Sequence, residues 1–463
     1  MSCLKAITLG LVWSLLSSLA AAQLPGDPFG ASQSDSSRPG DPFGATRPAA
    51  SLPGDPFSSP SEGPSLTPVS DWSWIFGGYV ESRNRFSTSG GPVVALTQMA
   101  FLEMTVKKGQ FSLYGSARGL LEGAAHYWPG AHKAGWGDIK ELYLTFDSEN
   151  FDFWLGRKIH IWGVSDGYNP LDLFNPLDLR DPFLSGRGVN RVPRAMAGAS
   201  LDIGPLNFEA IYLPTAGVLT MPEPGSPWEP EAFRRLRTLN DLGFLSLNRK
   251  NAPRRWFRDG EFGLKVSASL AGWDLSLLAY EGYCDEPLFK MALNPFVGLQ
   301  AQGEYARYRA YGLAWAKGLG QGTFRGELAI KPDYPLQGDL NWRRGRLTQA
   351  VIGWDRVFEG SLYLNFQGFL EIRSGAGDWP RDDRHGLTYE INYQWAKDTW
   401  AIGARGQVYL TGEGALNEVF LEWRLDDHFK FSVGTLVFSG SREGVLGQFK
   451  DNGSLYFTAR YSF

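Results

Sequence analysis

Apolar and polar residues alternate along most of the chain, from about residue 71 to its end. The clearest run, 362–373, has two faces: Leu362, Leu364, Phe366, Leu370 and Ile372 on one, and Tyr363, Asn365, Gln367, Glu371 and Arg373 on the other. A period of two places alternate side chains on opposite sides of a β-strand. Similar runs at 387–395, 400–410 and 418–425 predict an all-β fold.

The spacing of turn residues predicts how the strands are connected. Tight turns are expected at Lys107–Gln110, Asp147–Asn150, Ile203–Leu206, Ala271–Trp273, Gly318–Gly322, Glu359–Gly360, Ala396–Thr399 and Asp426–His428. Longer connections are expected near 86–92, 123–138, 162–193, 214–259, 284–303, 332–345, 374–384, 411–416 and 439–452. Alternating short and long connections predict about 18 antiparallel strands (16–18), an even number, as in bacterial barrels.

So many apolar strand faces cannot fill one small core, and they are expected to face lipid. In hydrocarbon, only a closed sheet leaves no unpaired backbone edge. The predicted fold is therefore a closed antiparallel transmembrane β-barrel over residues 71–463, in the cell outer membrane. The alternation is weakest around 123–146, which leaves the strand count open by two.

The last strand carries aromatic residues at alternate positions, Phe457, Tyr461 and Phe463. This pattern resembles the C-terminal strand of Gram-negative outer-membrane barrels, in which a terminal Phe acts as the assembly signal. The resemblance implies that Phe463, Tyr461 and Phe457 are recognised by the barrel-assembly machinery.

The N-terminus has the three zones of a secretory signal peptide. Lys5 precedes an apolar run from Ala6 to Leu19, and Ala20–Ala22 precede a predicted cleavage site before Gln23. The run is shorter than the roughly 20 residues that a spanning helix needs. We therefore expect residues 1–22 to direct export.

Residues 23–70 contain the pentapeptide Pro-Gly-Asp-Pro-Phe three times, beginning at Pro25, Pro39 and Pro53. Dense Pro and Gly prevent a packed core, so this segment is expected to be a disordered linker. An alternative is a periplasmic partner-docking segment, in which Phe29, Phe43 and Phe57 each insert into a partner pocket and gain by multivalency.

Composition offers little support for other functions. The formal net charge of −4 gives no case for a nucleic-acid partner. The five histidines (126, 132, 160, 385 and 428) lack metal-ligand spacing, and no Gly-x-Ser-x-Gly motif occurs. We expect no cofactor, no metal and no catalytic residues.

A barrel of this size leaves an aqueous lumen. The predicted pore-lining residues are Arg118, Lys265, Arg307, Arg309, Arg325, Glu327, Glu371, Glu390, Arg405, Glu422, Arg424 and Arg460. They could pair across the wall and only solvate the pore. They could instead line a path that selects anionic or sugar-acid solutes.

Residues 156–183 combine Gly156-Arg-Lys-Ile-His-Ile-Trp-Gly163 with later Asn-Pro pairs and Asp178. The pattern resembles the Gly-Arg…Trp-Gly…Asn-Pro…Asp pattern of porin-like and alginate-export-like outer-membrane barrels. Proline and paired charges predict a stiff loop at 162–193, either folded into the lumen as a constriction or forming a compact cap outside. Its candidate residues are Asp166, Asp172, Asp178, Arg180, Asp181, Arg187 and Arg191.

The leading functional hypothesis is a porin-like channel for passive passage of small hydrophilic, anionic or sugar solutes. One alternative is a barrel scaffold of an export complex that docks a periplasmic partner through the N-terminal repeats. A second is an outer-membrane hydrolase. The expected partners are outer-membrane lipid and lipopolysaccharide, the barrel-assembly machinery and the possible periplasmic partner.

Overall fold

A computed structural model describes residues 72–88, 93–123, 135–180, 190–249, 252–294, 298–338, 341–375 and 382–463. The predicted signal peptide and the repeat segment with Phe29, Phe43 and Phe57 lie outside these residues. So do two predicted loop residues, Asp181 and Arg187. Within the described ranges, no helix is long and apolar enough to cross a membrane.

The described chain is built almost entirely of strands. In chain order the elements are β1 Ser73–Ser87, β2 Val93–Lys108, β3 Phe111–Gly123, β4 Gly135–Asp147, β5 Phe151–Lys158, β6 Arg194–Ile203, β7 Leu206–Leu213, α1 Glu231–Asp241, β8 Leu245–Arg249, β9 Glu261–Leu270, β10 Trp273–Tyr283, β11 Leu288–Asn294, β12 Gly298–Glu304, β13 Arg307–Leu319, β14 Gly322–Gln337, β15 Trp342–Phe358, β16 Leu362–Gly375, β17 Asp382–Trp395, β18 Trp400–Tyr409, β19 Gly414–Arg424, β20 Phe429–Ser439 and β21 Ser454–Ser462. A 3-10 helix, Gly447–Asn452, precedes β21. All strands except β8, β11 and β12 form one 18-stranded antiparallel sheet.

The predicted strand count and connectivity are confirmed. Each of the eight predicted tight turns joins two consecutive paired strands of the barrel, and all lie at one rim. Bacterial barrels place short turns in the periplasm, which assigns the opposite rim to the extracellular side. One connection is shorter than expected, because β14 continues to Gln337 through a bulge between Lys331 and Tyr334 that accommodates Pro332.

Pairing of β1 with β21 closes the barrel. The Gly78 amide donates to the Phe463 carbonyl at 3.1 Å, and the Phe463 amide donates to the Gly78 carbonyl at 3.0 Å. On its other side Gly78 packs closely against β2, since a Cβ there would lie 2.3 Å from the Phe101 carbonyl oxygen. Closure leaves no strand edge open to hydrocarbon within the paired region.

The outer face of the sheet is apolar. Outward side chains such as Ile352, Leu387 and Val419 are about half exposed, although the inward residues beside them are buried. Near the short-turn rim, Trp400 stacks between Trp395 and Trp423, with ring centroids 6.2 and 5.7 Å apart. An apolar band with an aromatic girdle is the surface that a bilayer requires, so the protein is an outer-membrane barrel.

A small cap stands on the extracellular rim. Strands β8, β11 and β12 form its three-stranded sheet, and α1 packs on that sheet. The apolar contact joins Ala232, Leu236 and Leu239 of α1 to Leu245, Phe289 and Ala301. The apolar stripe of the helix therefore has its partner in the cap.

We expect removal of Phe463 together with Tyr461→Ala to lower the amount of folded barrel in the outer membrane several-fold. Phe463 supplies the last backbone pair of the closing seam and its ring lies 5.9 Å from that of Phe76. Heat-modifiable migration of membrane fractions measures the folded amount. Phe431→Ala, an outward aromatic of β20, is the matched control; equal loss in both would rule out an assembly signal at the terminus.

Candidate functional site in the barrel interior

The described residues of the connection between β5 and β6, 159–180 and 190–193 (the inner loop), lie inside the barrel. Its Val164 and Ser165 amides each donate to Glu327 Oε1 at 2.6 Å, and its Leu171 amide donates to Glu327 Oε2 at 3.1 Å. Glu327 points inward from β14 and is fully buried. A single wall carboxylate thus accepts three backbone hydrogen bonds, which fixes the loop against β14.

Tyr168 forms the second attachment. Its hydroxyl donates to Glu371 Oε2 at 2.6 Å and accepts from Gln349 Nε2 at 2.7 Å. The ring stacks on Phe369, with centroids 4.6 Å apart. Arg373 pairs with Glu371 from the same strand, so the charge of this carboxylate is balanced. Hydrogen bonds and stacking together leave the Tyr168 side chain little freedom.

Asp166 forms the third attachment. Its Oδ2 accepts from Asn365 Nδ2 at 2.6 Å and from Gln367 Nε2 at 3.2 Å, and it lies 3.3 Å from Arg325 Nη1. Arg325 also pairs with Asp355 on β15. Asp166, predicted to line a constriction, is therefore an ion-paired anchor on the wall formed by β14–β16.

The stems of the inner loop rest on an apolar and aromatic core. Trp162 and Phe174 meet edge to face at 4.5 Å, and Leu171 is fully buried beside them. Beneath them Glu209 lies 2.7 Å from His160 and 2.6 Å from Lys265, and it accepts a hydrogen bond from Trp162 Nε1 at 3.0 Å. Each buried charge there has an opposite partner.

The later part of the inner loop reaches the other wall. Asp172 and Arg191, both inside the loop, form a buried pair at 2.5 Å. Asp178 is bound by Arg180 at 2.6 Å and lies 3.6 Å from Arg118 of β3. The described loop residues thus contact both sides of the barrel interior, and the alternative of a cap outside the barrel does not hold for them.

Strands β18–β21 and β1 form the arc of wall that these loop contacts do not reach. Apart from Arg85, which is buried against the Trp228 ring, their inward charged side chains are Glu81, Arg83, Arg405, Glu418, Glu422, Arg424, Lys430 and Arg460, named here the open arc. Side chains of Arg405, Lys430 and Arg460 are 22–26% exposed, whereas that of Lys265, under the loop, is 2% exposed. Water therefore reaches the lumen along this arc.

The open arc carries five cationic and three carboxylate side chains. Arg405 pairs with Glu418 at 2.6 Å and Lys430 with Glu422 at 3.3 Å. Arg83 and Arg460 share Glu81, each at 2.6 Å. Arg424 is the fifth cation. Five positive and three negative side chains give the open arc a net charge of +2.

Residues 214–230, which connect β7 to α1 (the strap), cross the extracellular mouth. Near β7, the Gly217 amide donates to Glu261 Oε1 at 3.2 Å. At the far end, Trp228 packs between Phe438 and Phe449, and its ring lies 5.4 Å from Arg85. The strap therefore covers the wall of β1 and β20 on the extracellular side of the open arc.

Most predicted pore-lining residues do face inward, but Arg307 and Arg309 do not. On β13 they share the outward face with Tyr311, which is half exposed, whereas the alternate residues Tyr308 and Ala310 are buried. Their prediction as pore-lining is wrong, because near a rim a charged side chain can lie on the outer face of a strand as well as on the inner face. At a rim above the lipid, an outward arginine meets headgroups instead of hydrocarbon.

The rest of the predicted site is distributed between two environments. Arg118, Lys265, Glu327 and Glu371 lie buried around the inner loop beside the partly exposed Arg325, and Glu390 is buried on β17. The others, Arg405, Glu422, Arg424 and Arg460, belong to the open arc. Sequence reasoning missed the anchoring role of Glu327 and the strap with Trp228, because both depend on contacts between residues more than 100 positions apart. No metal-binding group of three His, Cys, Asp or Glu occurs in the described part of the chain. The docking role of Phe29, Phe43 and Phe57 stays a prediction.

The closed sheet, apolar exterior and charged interior define a porin-like outer-membrane β-barrel. The chain belongs to the family described as "Protein of unknown function (DUF1302)", whose model matches residues 137–399. The matched range includes the 156–183 motif, and the resemblance of that motif to alginate-export-like barrels stays an expectation. No curated protein matches the chain.

Several solved outer-membrane proteins are similar in structure. OpdK of Pseudomonas aeruginosa is 8% identical, with 84% of this chain and 99% of that chain covered and a TM-score of 0.46. OccK2 (OpdF) of the same organism, in complex with glucuronate, is 10% identical, with 85% and 97% covered and a TM-score of 0.45. Salmonella typhi OmpF in complex with daunomycin is 10% identical, with 84% and 97% covered and a TM-score of 0.43. Likeness at this level carries no information about a solute.

Glu327→Ala is expected to release the tip of the inner loop, because three backbone amides lose their acceptor. In a Cys284→Ala background, Ser165→Cys introduces a thiol at a buried loop position. Labelling of this thiol by a water-soluble maleimide should be at least tenfold faster with Glu327→Ala. Ser267→Ala, which removes an inward hydroxyl bonded to Ser276, is the control and should leave the rate unchanged. Equal labelling rates in the Ser165→Cys protein, with or without Glu327→Ala or Ser267→Ala, would contradict anchoring by Glu327.

We expect the strap to be sensitive to pH through Asp285, at the start of the connection after β10. Its carbonyl accepts from the Leu219 amide of the strap at 3.2 Å. Burial, and secondarily the nearby Glu261, raises the pKa of Asp285 to about 8, although Arg194 opposes the shift.

The Asp285 carboxyl has a higher pKa in the folded protein than in the unfolded chain, where it is about 4, so the folded, closed strap favours the protonated carboxyl. The stability of the closed strap is therefore highest below about pH 4 and falls as the pH rises to about 8. Hydrogen-exchange protection of residues 214–220, corrected for intrinsic rates, should therefore decrease from pH 5 to pH 8 (about these values). Asp285→Asn should remove the decrease. A pH-independent protection factor in the unsubstituted protein would contradict the assignment.

Proposed function

We propose that the protein is a channel through which small hydrophilic anions, including sugar acids, cross the outer membrane passively. The observation that carries the proposal is the open arc: a partly solvated strip of lumen wall with five cations and three carboxylates. A surplus of fixed positive charge in a narrow, low-dielectric passage raises the local concentration of anions and lowers that of cations.

Charge under the inner loop does not cancel this surplus. Glu327 accepts backbone amides, Asp166 is bound to Arg325, and Glu371 is paired with Arg373. These acids are committed to holding the loop and have little exposed surface. The net field at the water-filled side of the lumen therefore comes mainly from the open arc.

The inner loop and the strap set the size limit of the proposed channel. The inner loop occupies the interior along β14–β17, and the strap covers the mouth above Arg85. Solutes must then pass along the remaining arc, where guanidinium groups can bind a carboxylate with two hydrogen bonds. Such weak, successive contacts favour passage of monocarboxylates over neutral solutes of equal size.

Arg460→Gln combined with Lys430→Gln should abolish anion preference. The change removes two positive charges and takes the open arc from +2 to neutral. Reversal potentials across planar bilayers in a KCl gradient report the ratio of chloride to potassium permeability, which should be above 1 in the unsubstituted protein and fall to about 1 in the variant.

The matched control is Lys108→Gln with Lys317→Gln, which removes two lysines that lie over Trp72 and Trp273 at the periplasmic rim. This control should keep the original reversal potential, since its charges lie outside the lumen. A folded barrel that carries no ion current would refute the channel. An ion current with unchanged selectivity in the Arg460/Lys430 variant would refute only the role of the open arc.

A further inference from the structure

We propose that the outer face of β10 and β13–β15, at the extracellular rim, binds the phosphate groups of a phosphorylated glycolipid of the outer leaflet. This site is independent of the channel, because its residues point away from the lumen. It consists of four arginines, Arg307, Arg309, Arg344 and Arg346, with two carboxylates, Glu281 and Asp333 (together, the rim cluster).

Strand pairing makes the rim cluster one continuous patch. Arg309 lies opposite Glu281 across β10 and β13, and their side chains pair at 3.1 Å. On the other side, the Arg309 amide donates to Asp333 Oδ1 at 3.0 Å. Arg344 pairs with Asp333 at 3.5 Å from β15. Four neighbouring strands thus contribute to the same surface.

The rim cluster has more positive charge than its own carboxylates can balance. Glu281 is shared by Arg307 and Arg309, at 3.2 and 3.1 Å, and Asp333 pairs with Arg344. Arg346 lies on the same outward face of β15 and is exposed. Four cations against two carboxylates leave a charge of +2. Side chains of Arg309 and Arg344 are 59% and 49% exposed, so they can add an external ligand to their present partners.

The depth of the rim cluster in the membrane identifies the ligand. Two residues below Arg309 on the same face of β13 lies Tyr311, paired with Ile330 of β14; both are exposed. Two residues correspond to about 7 Å along a strand, which is the distance from headgroup phosphate to upper acyl chain. Further down the face come Leu277 and Ile352, also exposed and apolar. Cations directly above an apolar wall match an anionic headgroup with attached acyl chains.

Guanidinium chemistry favours phosphate over other anions of the leaflet. Arginine presents a planar fork of donors that binds phosphate oxygens in pairs, and it stays charged at all physiological pH values. Phosphorylated sugar headgroups offer two such groups on one lipid. The outward face elsewhere at this rim differs: β20 and β21 present Val437 and Leu455, which are exposed and apolar. The positive surface of the rim cluster therefore does not extend to β20 and β21.

The test uses the full chain purified in a mild detergent and titrated with bis-phosphorylated lipid A, with native mass spectrometry to count bound lipid. Arg309→Gln with Arg346→Gln should weaken binding about 30-fold, the effect of two arginines near an anionic surface. Arg344 is left intact because it also donates to the backbone carbonyls of Arg307 and Asp333. Arg309→Lys with Arg346→Lys keeps the charge and should retain binding within about fivefold.

Three further measurements decide the outcome. Lys108→Gln with Lys317→Gln, at the opposite rim, should bind lipid A as the unsubstituted protein does. Enzymatically dephosphorylated lipid A should bind the unsubstituted protein at least tenfold more weakly than bis-phosphorylated lipid A does. This comparison does not depend on any variant. Inorganic phosphate in large excess should not displace the lipid. Equal binding by the Gln variant, or equal binding of the dephosphorylated lipid, would overturn the proposal, and displacement by phosphate would show a site for soluble anions.

Discussion

Every backbone amide and carbonyl at membrane depth needs a hydrogen-bond partner within the protein, and this one requirement shapes both the wall and the filling of the barrel. In the wall it is met by a sheet with no edge, which exists because β21 pairs with β1 from Tyr79–Ser462 to Ser87–Ser454. Gly78 and Phe463 add the last hydrogen-bonded pair of this seam. The same requirement applies to a chain segment folded into the lumen. An irregular loop there has amides that neither a helix nor a sheet satisfies.

Side chains provide the hydrogen-bond partners for backbone groups of the inner loop that are not paired in a helix or sheet. Glu327 accepts three of its amides at the tip. At the stem, Asn175 accepts from the His160 amide at 2.7 Å and donates to the carbonyls of Lys158 and Val192 at 3.1 and 3.0 Å, which ties the two ends of the loop together. A buried carboxylate used in this way is a structural group. Substitution of Glu327 would leave loop amides without an acceptor as well as removing a charge. A change in conductance and a change in folding stability would then have the same cause.

The fold could be predicted far more completely than the site because the two depend on different ranges of interaction. Alternation along a strand is local, and the runs at 362–373 and 387–395 have the faces that the sequence predicts. Turn residues are local as well. The partners of Glu327 or Trp228, in contrast, are brought together only by closure and by the strap. The error at Arg307 and Arg309 has a local cause: near a rim, both faces of a strand meet water or headgroups, so polarity no longer distinguishes inside from outside.

Burial and charge balance are linked around the lumen. Under the inner loop, where water is excluded, Glu209 lies between His160 and Lys265, and Asp172 is matched by Arg191. An unmatched charge in that environment would cost several kcal/mol (roughly 3–5). A surplus can persist where solvent reaches it, as at the open arc inside and the rim cluster outside. The surfaces that retain net charge are therefore those where the protein can meet an anion. Because burying an unpaired charge costs folding free energy, the charged residues in the interior are paired and the surplus cations lie where solvent reaches them.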